Sequence, residues 1–260
     1  MLLAINANNT TTVVALCDPM ADRIVGSWRV STRHDRTPDE WYALLAGLLV
    51  AGGEPLATVE AAIIASVVPG VTPWLVAMAR DRLRLEPVVV GGDLDIGVRS
   101  LVDRPAEVGA DRLANTVAAF TRYGGPAVVV DFGTATNFDV ISADGDFLGG
   151  AIAPGLMVGL EALTSRAARL FAVDLALPER AIGTNTVTNI QAGTVLGHLA
   201  MVEGMVGRIR AELGTDAPVI ATGGQAALFA AATPLIAHHA PDLTIDGLNL
   251  IYQRVAGLRR

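Results

Sequence analysis

The sequence predicts an α/β fold made by duplicating one unit, and three observations support that reading. A strand–turn–strand near the N-terminus returns mid-chain. Ile5-Asn6-Ala7-Asn8-Asn9-Thr10-Thr11-Thr12 lies over Val130-Asp131-Phe132-Gly133-Thr134-Ala135-Thr136-Asn137 at an offset of 125 positions. Each copy ends an apolar strand on an Asx, turns on small residues and threonines, and enters a second apolar strand, which internal repetition explains better than chance. Short apolar runs also alternate with helix-length segments in both halves. Finally, 52% of the 260 residues are apolar and 17% charged, enough for a sizeable core and too apolar for disorder.

The elements follow in order. Residues 2–6 and 12–17 read as hairpin strands around Asn8-Asn9-Thr10. Thr37-Pro38-Asp39-Glu40 supplies an N-cap and an acidic first turn for a helix over 37–51. A strand at 61–67 ends in Val68-Pro69-Gly70, a helix follows near 72–84, and a strand at 87–90 leads to a loop rich in Gly and Asp. A helix spans about 109–123. The second half begins with strands at 127–131 and 137–142 around Gly133-Thr134-Ala135-Thr136, then a reverse turn over 143–146. Residues 149–164 give a glycine-rich lead-in and a helix, and 187–213 a long helix with an apolar stripe at helical spacing. The strand 219–221 runs into Thr222-Gly223-Gly224, followed by helices over 225–238 and near 246–257. The domains predicted are 1–115 and 116–260, each holding one hairpin, around a nucleotide cleft.

Composition excludes several chemistries. The net charge is −7 and the pI about 5.0, so no basic face is available for nucleic acid. All 19 basic residues are arginine, which rules out a lysine Schiff base, a P-loop lysine and a lysine general base. The single cysteine, Cys17, lies among Val13, Val14, Ala15 and Leu16 and reads as a buried strand residue in a reducing cytoplasm. The four histidines show no metal-ligand spacing, and His198 reads as packed or surface-exposed. The longest apolar run, 41–51, is about half the ~20 residues a membrane-spanning helix needs. A soluble protein, with no membrane and no nucleic acid among its partners, is expected.

The repeated hairpin suits phosphate. Small residues let backbone N–H groups approach phosphate oxygens, threonine hydroxyls add donors, and a strand-end carboxylate can hold a cation. Paired hairpins of this kind resemble the phosphate grips of actin-like and sugar-kinase-like ATPases, and Gly223-Gly224 after a strand fits the glycine pair beside the adenosine in such sites. In Pro105-Ala106-Glu107-Val108-Gly109-Ala110-Asp111-Arg112, the acid and the arginine fall in the first turn of a helix. There a carboxylate can accept a proton and a guanidinium can bind an acid.

The segments PAEVGADR, VVVDFGTATNFDV, FLGGAIAPGL, IGTNTV and VIATGGQAAL, in that order, resemble the type III pantothenate kinases, the Bvg accessory factor family, over essentially the whole chain. The resemblance implies a duplicated actin-like ATPase (ribonuclease H-like) core, a homodimer, and ATP-dependent phosphorylation of pantothenate with Mg²⁺ and a monovalent cation, K⁺ or NH₄⁺. It implies Asp111 as catalytic base, with Gly109, Ala110, Asp111, Arg112 and Thr186 contacting pantothenate. Asp131 is the implied K⁺ ligand. Asn6, Asn8, Asn9, Thr10, Thr11, Thr12, Thr134, Gly223 and Gly224 are the residues expected at ATP.

Four positions depart from the family pattern. The first grip, usually D-x-G-N-T, reads Asn6-Ala7-Asn8-Asn9-Thr10, losing a charge that holds Mg²⁺ and placing Asn8 where glycine's left-handed backbone is expected. Val102 stands where a tyrosine is common, and Thr184 where a lysine is. A second reading is therefore a catalytically impaired, pantothenate kinase-like pseudoenzyme with a nucleotide-binding, regulatory or partner-binding role.

Overall fold

The computed structural model describes residues 1–91, 94–167, 170–171 and 173–258. Gly92 and Asp93 of the expected Gly/Asp-rich loop lie outside them. The chain divides into two units, Met1–Arg122 with Leu243–Arg260, and Tyr123–Asp242.

The first unit is built on strands β1 (Leu2–Ala7), β2 (Thr11–Asp18), β3 (Arg23–Ser31), β4 (Ala61–Ser66) and β5 (Val88–Val89), in the order β3-β2-β1-β4-β5. Its helices are α1 (Pro38–Ala51), α2 (Thr72–Met78) and α3 (Ala110–Tyr123). A full capping box between Thr37 and Glu40 fixes the start of α1. Leu3, Ile5, Trp41, Leu45, Ile64 and Leu75 form one core cluster, each side chain contributing about 1.5–3 kcal/mol by leaving water.

The second unit repeats the plan. Strands β6 (Ala127–Phe132), β7 (Ala135–Ile141), β8 (Phe147–Pro154), β9 (Val219–Thr222) and β10 (Ile236–His239) follow the order β10-β9-β6-β7-β8. Helices α4 (Leu156–Arg166), α5 (Thr186–Gln191), α6 (Gly197–Leu213) and α7 (Ala226–Ala230) accompany it. In both sheets the first strand pairs antiparallel with the hairpin partner and parallel with a later crossover strand. The duplication read from the sequence is thus present in topology. Its core gathers Val128, Val130, Phe138, Val202 and Phe229.

Four expectations need correction, and one strand went unread. β3 was not anticipated, and the glycine-rich lead-in at 149–154 is part of strand β8. The helix expected over 225–238 ends at Ala230, and residues 236–239 form β10. The long helix over 187–213 is interrupted by a wider turn at Ala192–Leu196 between α5 and α6. The closing helix α8 (Leu243–Val255) belongs to the first unit, where it packs on β1 and β4. Gly247 makes this possible, because a Cβ there would collide with Ala114 O of α3. Arg122 of α3 then pairs with both Asp22 and Asp246, tying the β2–β3 turn to α8.

Candidate active site

In the first unit, backbone hydrogen bonds hold the tip of the β1–β2 hairpin. Asn8 N–H donates to Thr11 O at 3.1 Å, and Thr32 N–H donates to Thr10 O at 2.9 Å. A hydroxyl relay reinforces them. Thr32 Oγ1 donates to Asn8 O at 2.6 Å, so Thr12 Oγ1 is the donor to Thr32 Oγ1 at 2.8 Å. Thr12 is fully buried with its hydroxyl engaged in that relay, whereas Asn9 and Thr10 are exposed and Thr11 is half-buried. Asn6, 4% exposed, and the half-buried Asn8 each present an Oδ1 with no hydrogen-bond partner among the described residues.

Asn8 does not take the left-handed backbone. Among the described residues, the non-glycine residues with positive φ are Asp22 and Arg84. The equivalent Gly133 is not left-handed either, and a Cβ there would meet only ordinary contacts, 3.5 Å from Ala135 O and 3.7 Å from Asp131 Oδ1. The turn therefore accepts a side chain without strain, and asparagine replaces glycine at no conformational cost.

The segment Gly109-Ala110-Asp111-Arg112 belongs to the same unit as this hairpin. A Cβ on Gly109 would lie 2.5 Å from Asp111 Oδ1 and 3.2 Å from Val67 Cγ1, and Val67 N–H donates to Ala7 O at 3.1 Å. Gly109 thus lets the start of α3 close onto the strand end that carries Asn6. Arg112 N–H donates to Asp111 Oδ1 at 2.8 Å. Burial raises the Asp111 carboxyl above the usual carboxylate range, against the lowering effect of that N–H. Ala110 is buried and Arg112 half-buried beside it.

In the second unit, glycines bring the parts together. Gly223, at φ +92°, crosses the end of β6 so closely that a Cβ would collide with Asp131 Oδ1 and come within 2.6 Å of Phe132 O. Gly155 does the same at the hairpin tip, where its N–H donates to Thr134 O at 3.0 Å and a Cβ would run into Gly133 O. Asp131, Thr134 and Gly223 therefore share one corner, and nothing lies within 4 Å of a Cβ on Gly224. Thr186 reaches that corner only across a cavity. It is exposed at the start of α5, after the cap Asn185, and lines a cavity of about 780 Å³ with Gly155, Leu156, Asn189 and His198.

His198 and Gly155 escaped assignment from the sequence. His198 is packed, as expected, but its Nε2 also lies 2.9 Å from Thr136 Oγ1 on β7, and burial lowers its pKa below the usual imidazole value. The Pro154-Gly155 pair after an apolar stretch was the available signal for the second. Among the described residues, no group of three or more His, Cys, Asp or Glu side chains is placed to hold a metal, and no helix is long and apolar enough to cross a membrane.

Comparison with known proteins gives the family. Residues 2–208 match the family model for type III pantothenate kinase. A type III pantothenate kinase from Thermomicrobium roseum is 48% identical over 255 residues, covering 98% of each chain. This chain belongs to the type III pantothenate kinase family. Among solved structures, a conserved Baf family protein from Campylobacter jejuni aligns at TM-score 0.64 and 16% identity, covering 98% of this chain and 99% of that one. The inorganic polyphosphate/ATP-glucomannokinase from an Arthrobacter strain aligns at TM-score 0.50 and 16% identity, covering 99% of both chains. The fold is the duplicated actin-like core shared with sugar kinases. Nothing in these family matches favours the impaired, pseudoenzyme reading.

Proposed function

We propose that this chain catalyses ATP-dependent phosphorylation of pantothenate to 4′-phosphopantothenate, the first step of coenzyme A biosynthesis. Family membership over nearly the full chain supports the reaction. The structural observation that carries it is Asp111, a carboxylate of raised proton affinity held beside the end of β1 in the unit of the first hairpin. Raised proton affinity makes Asp111 a stronger base toward the substrate hydroxyl. Asp111 takes the proton of the pantothenate hydroxyl, the oxygen attacks the γ-phosphorus, and the bond to the β-phosphate breaks to leave ADP. Gly109, Ala110 and Arg112 line the pantothenate pocket, the guanidinium suiting the substrate carboxylate. Thr186 is a further substrate contact.

Asn6 and Asn8–Thr11 form the first phosphate grip, braced from behind by the buried Thr12 and its bond to Thr32, and Thr134 contacts ATP in the second, with Gly223 and Gly224 on the adenosine side. A divalent metal, when bound, would sit chiefly on the nucleotide's phosphate oxygens and neutralise their charge, keeping most of its waters. The Asn6 Oδ1, buried and without a partner among the described residues, fits a metal-bound water. The Asp131 carboxylate, with Phe132 O close to Gly223, offers the oxygen donors that suit K⁺ or NH₄⁺. A homodimer is proposed on the family resemblance alone. A cytoplasmic location suits the metabolic role.

An ADP-release assay with ATP, pantothenate, Mg²⁺ and K⁺ tests the proposal. Asp111→Asn should lower turnover by about 10²–10⁴-fold without loss of fold, the range for removing a general base. Near-normal turnover in that variant would sink the assignment of the base, and a wild type without pantothenate-dependent turnover would sink the reaction.

A further inference from the structure

Asn6 and Asp131 occupy one node in two copies of a sheet. Asn6 pairs with Val13 and Ala65, and Asp131 pairs with Asn137 and Thr222. One copy carries a carboxylate there. The other carries an amide whose Oδ1 is buried and lacks a partner among the described residues. Asn8 lies two residues on, where the ladder continues through its N–H bond to Thr11 O, so both side chains leave the same side of the chain. It adds a second oxygen of the same kind. Acceptors left without donors inside a protein are costly, and two together at a hairpin tip mark a place that a ligand completes.

We propose that Asn6 and Asn8 make the first phosphate grip tolerant of metal-free nucleotide. The two neutral amides admit a nucleoside triphosphate with or without its divalent cation, where a carboxylate at position 6 admits only the metal complex. The proposal rests on the nucleotide reading given above. A carboxylate at this node repels the highly charged triphosphate unless a cation stands between them. An amide has no charge to repel. It offers an oxygen to a metal-bound water and an NH₂ to a phosphate oxygen, so one side chain serves both forms of the ligand. Ser66-Val67 follow Ala65, the partner of Asn6, where Gly223-Gly224 follow Thr222, the partner of Asp131, so the first unit also lacks the close glycine crossing that accompanies Asp131.

Isothermal titration of the full chain with ATP, in excess EDTA and again in saturating Mg²⁺, tests this. In the wild type the two Kd values should agree within about threefold. Asn6→Asp should weaken metal-free binding by about tenfold or more while leaving Mg–ATP within about threefold, the scale of repulsion between charges roughly 5 Å apart near a protein surface. Asn8→Asp, at a half-buried position, should move the ratio the same way by less, and it keeps the test open should Asn6→Asp fail to fold. A wild type that binds ATP more than about tenfold tighter with Mg²⁺, or aspartate variants with an unchanged ratio, overturns the proposal and leaves nucleotide binding intact. A wild type that binds ATP under neither condition overturns this proposal together with the nucleotide reading.

Discussion

The two hairpins share a register and a sheet order, yet different chemistry holds each in place. At the first, side-chain hydroxyls form the clasp: Thr12 donates to Thr32, and Thr32 donates to Asn8 O. At the second, missing side chains form it, since Gly155 and Gly223 bring backbone to within reach of Thr134 and Asp131. The hydroxyl clasp tolerates change in the turn itself, and Asn8 sits there unstrained. The glycine clasp leaves no such room, because Gly155 lies against the backbone oxygens of Gly133 and Thr134, and Gly223 against the Asp131 carboxylate and Phe132 O. Duplication conserved the geometry of the grip and left each copy free to find its own way of fixing it.

Substitution can break this contrast. The largest effect is expected from Gly223→Ala, which forces a side chain at φ +92° into Asp131 and Phe132 O. A loss of about 3 kcal/mol or more in denaturant unfolding should follow, together with loss of any K⁺ dependence. A smaller loss, about 1–3 kcal/mol, is expected for Thr32→Val, which leaves the buried Thr12 hydroxyl without its acceptor. Equal stability in that variant would mean that the backbone bonds alone hold the first tip. The smallest effect belongs to Gly133→Ala, within about 0.5 kcal/mol, because no positive φ and no close contact demand glycine there. If Gly133→Ala nevertheless weakens ATP binding while stability holds, the missing side chain at that turn serves the ligand and not the fold.

Local pattern made much of the fold legible. The apolar runs of β1, β2, β6 and β7, the Thr37–Glu40 cap and the offset repeat all lie close in sequence. β3 escaped because its residues are only partly buried and mix arginines and serines with apolar positions. β8 escaped because glycine is poor in strands, and here it serves an edge strand with the outer face exposed. The alanine-rich stretch after Gly224 reads as one long helix, but Pro234 cannot continue it and β10 follows. In the candidate site the Asx residues and the glycine pair were legible one by one. What assembles them was not. Gly155 lies 21 positions from Thr134, and His198 is 62 positions from Thr136, so no local rule joins either pair. That asparagine is tolerated at position 8 was legible from its residue type, but the reason was not, because the turn needs no left-handed φ there.

The burial of Cys17 gives the molecule a built-in reporter. It is the single cysteine of the chain, sits at 0% exposure in β2, and pairs across to Leu2 and Ile24. A thiol reagent can reach it only when the β1–β2–β3 ribbon opens. The labelling rate of the native protein therefore clocks the opening of the first unit alone, while the second unit stays silent in the same tube.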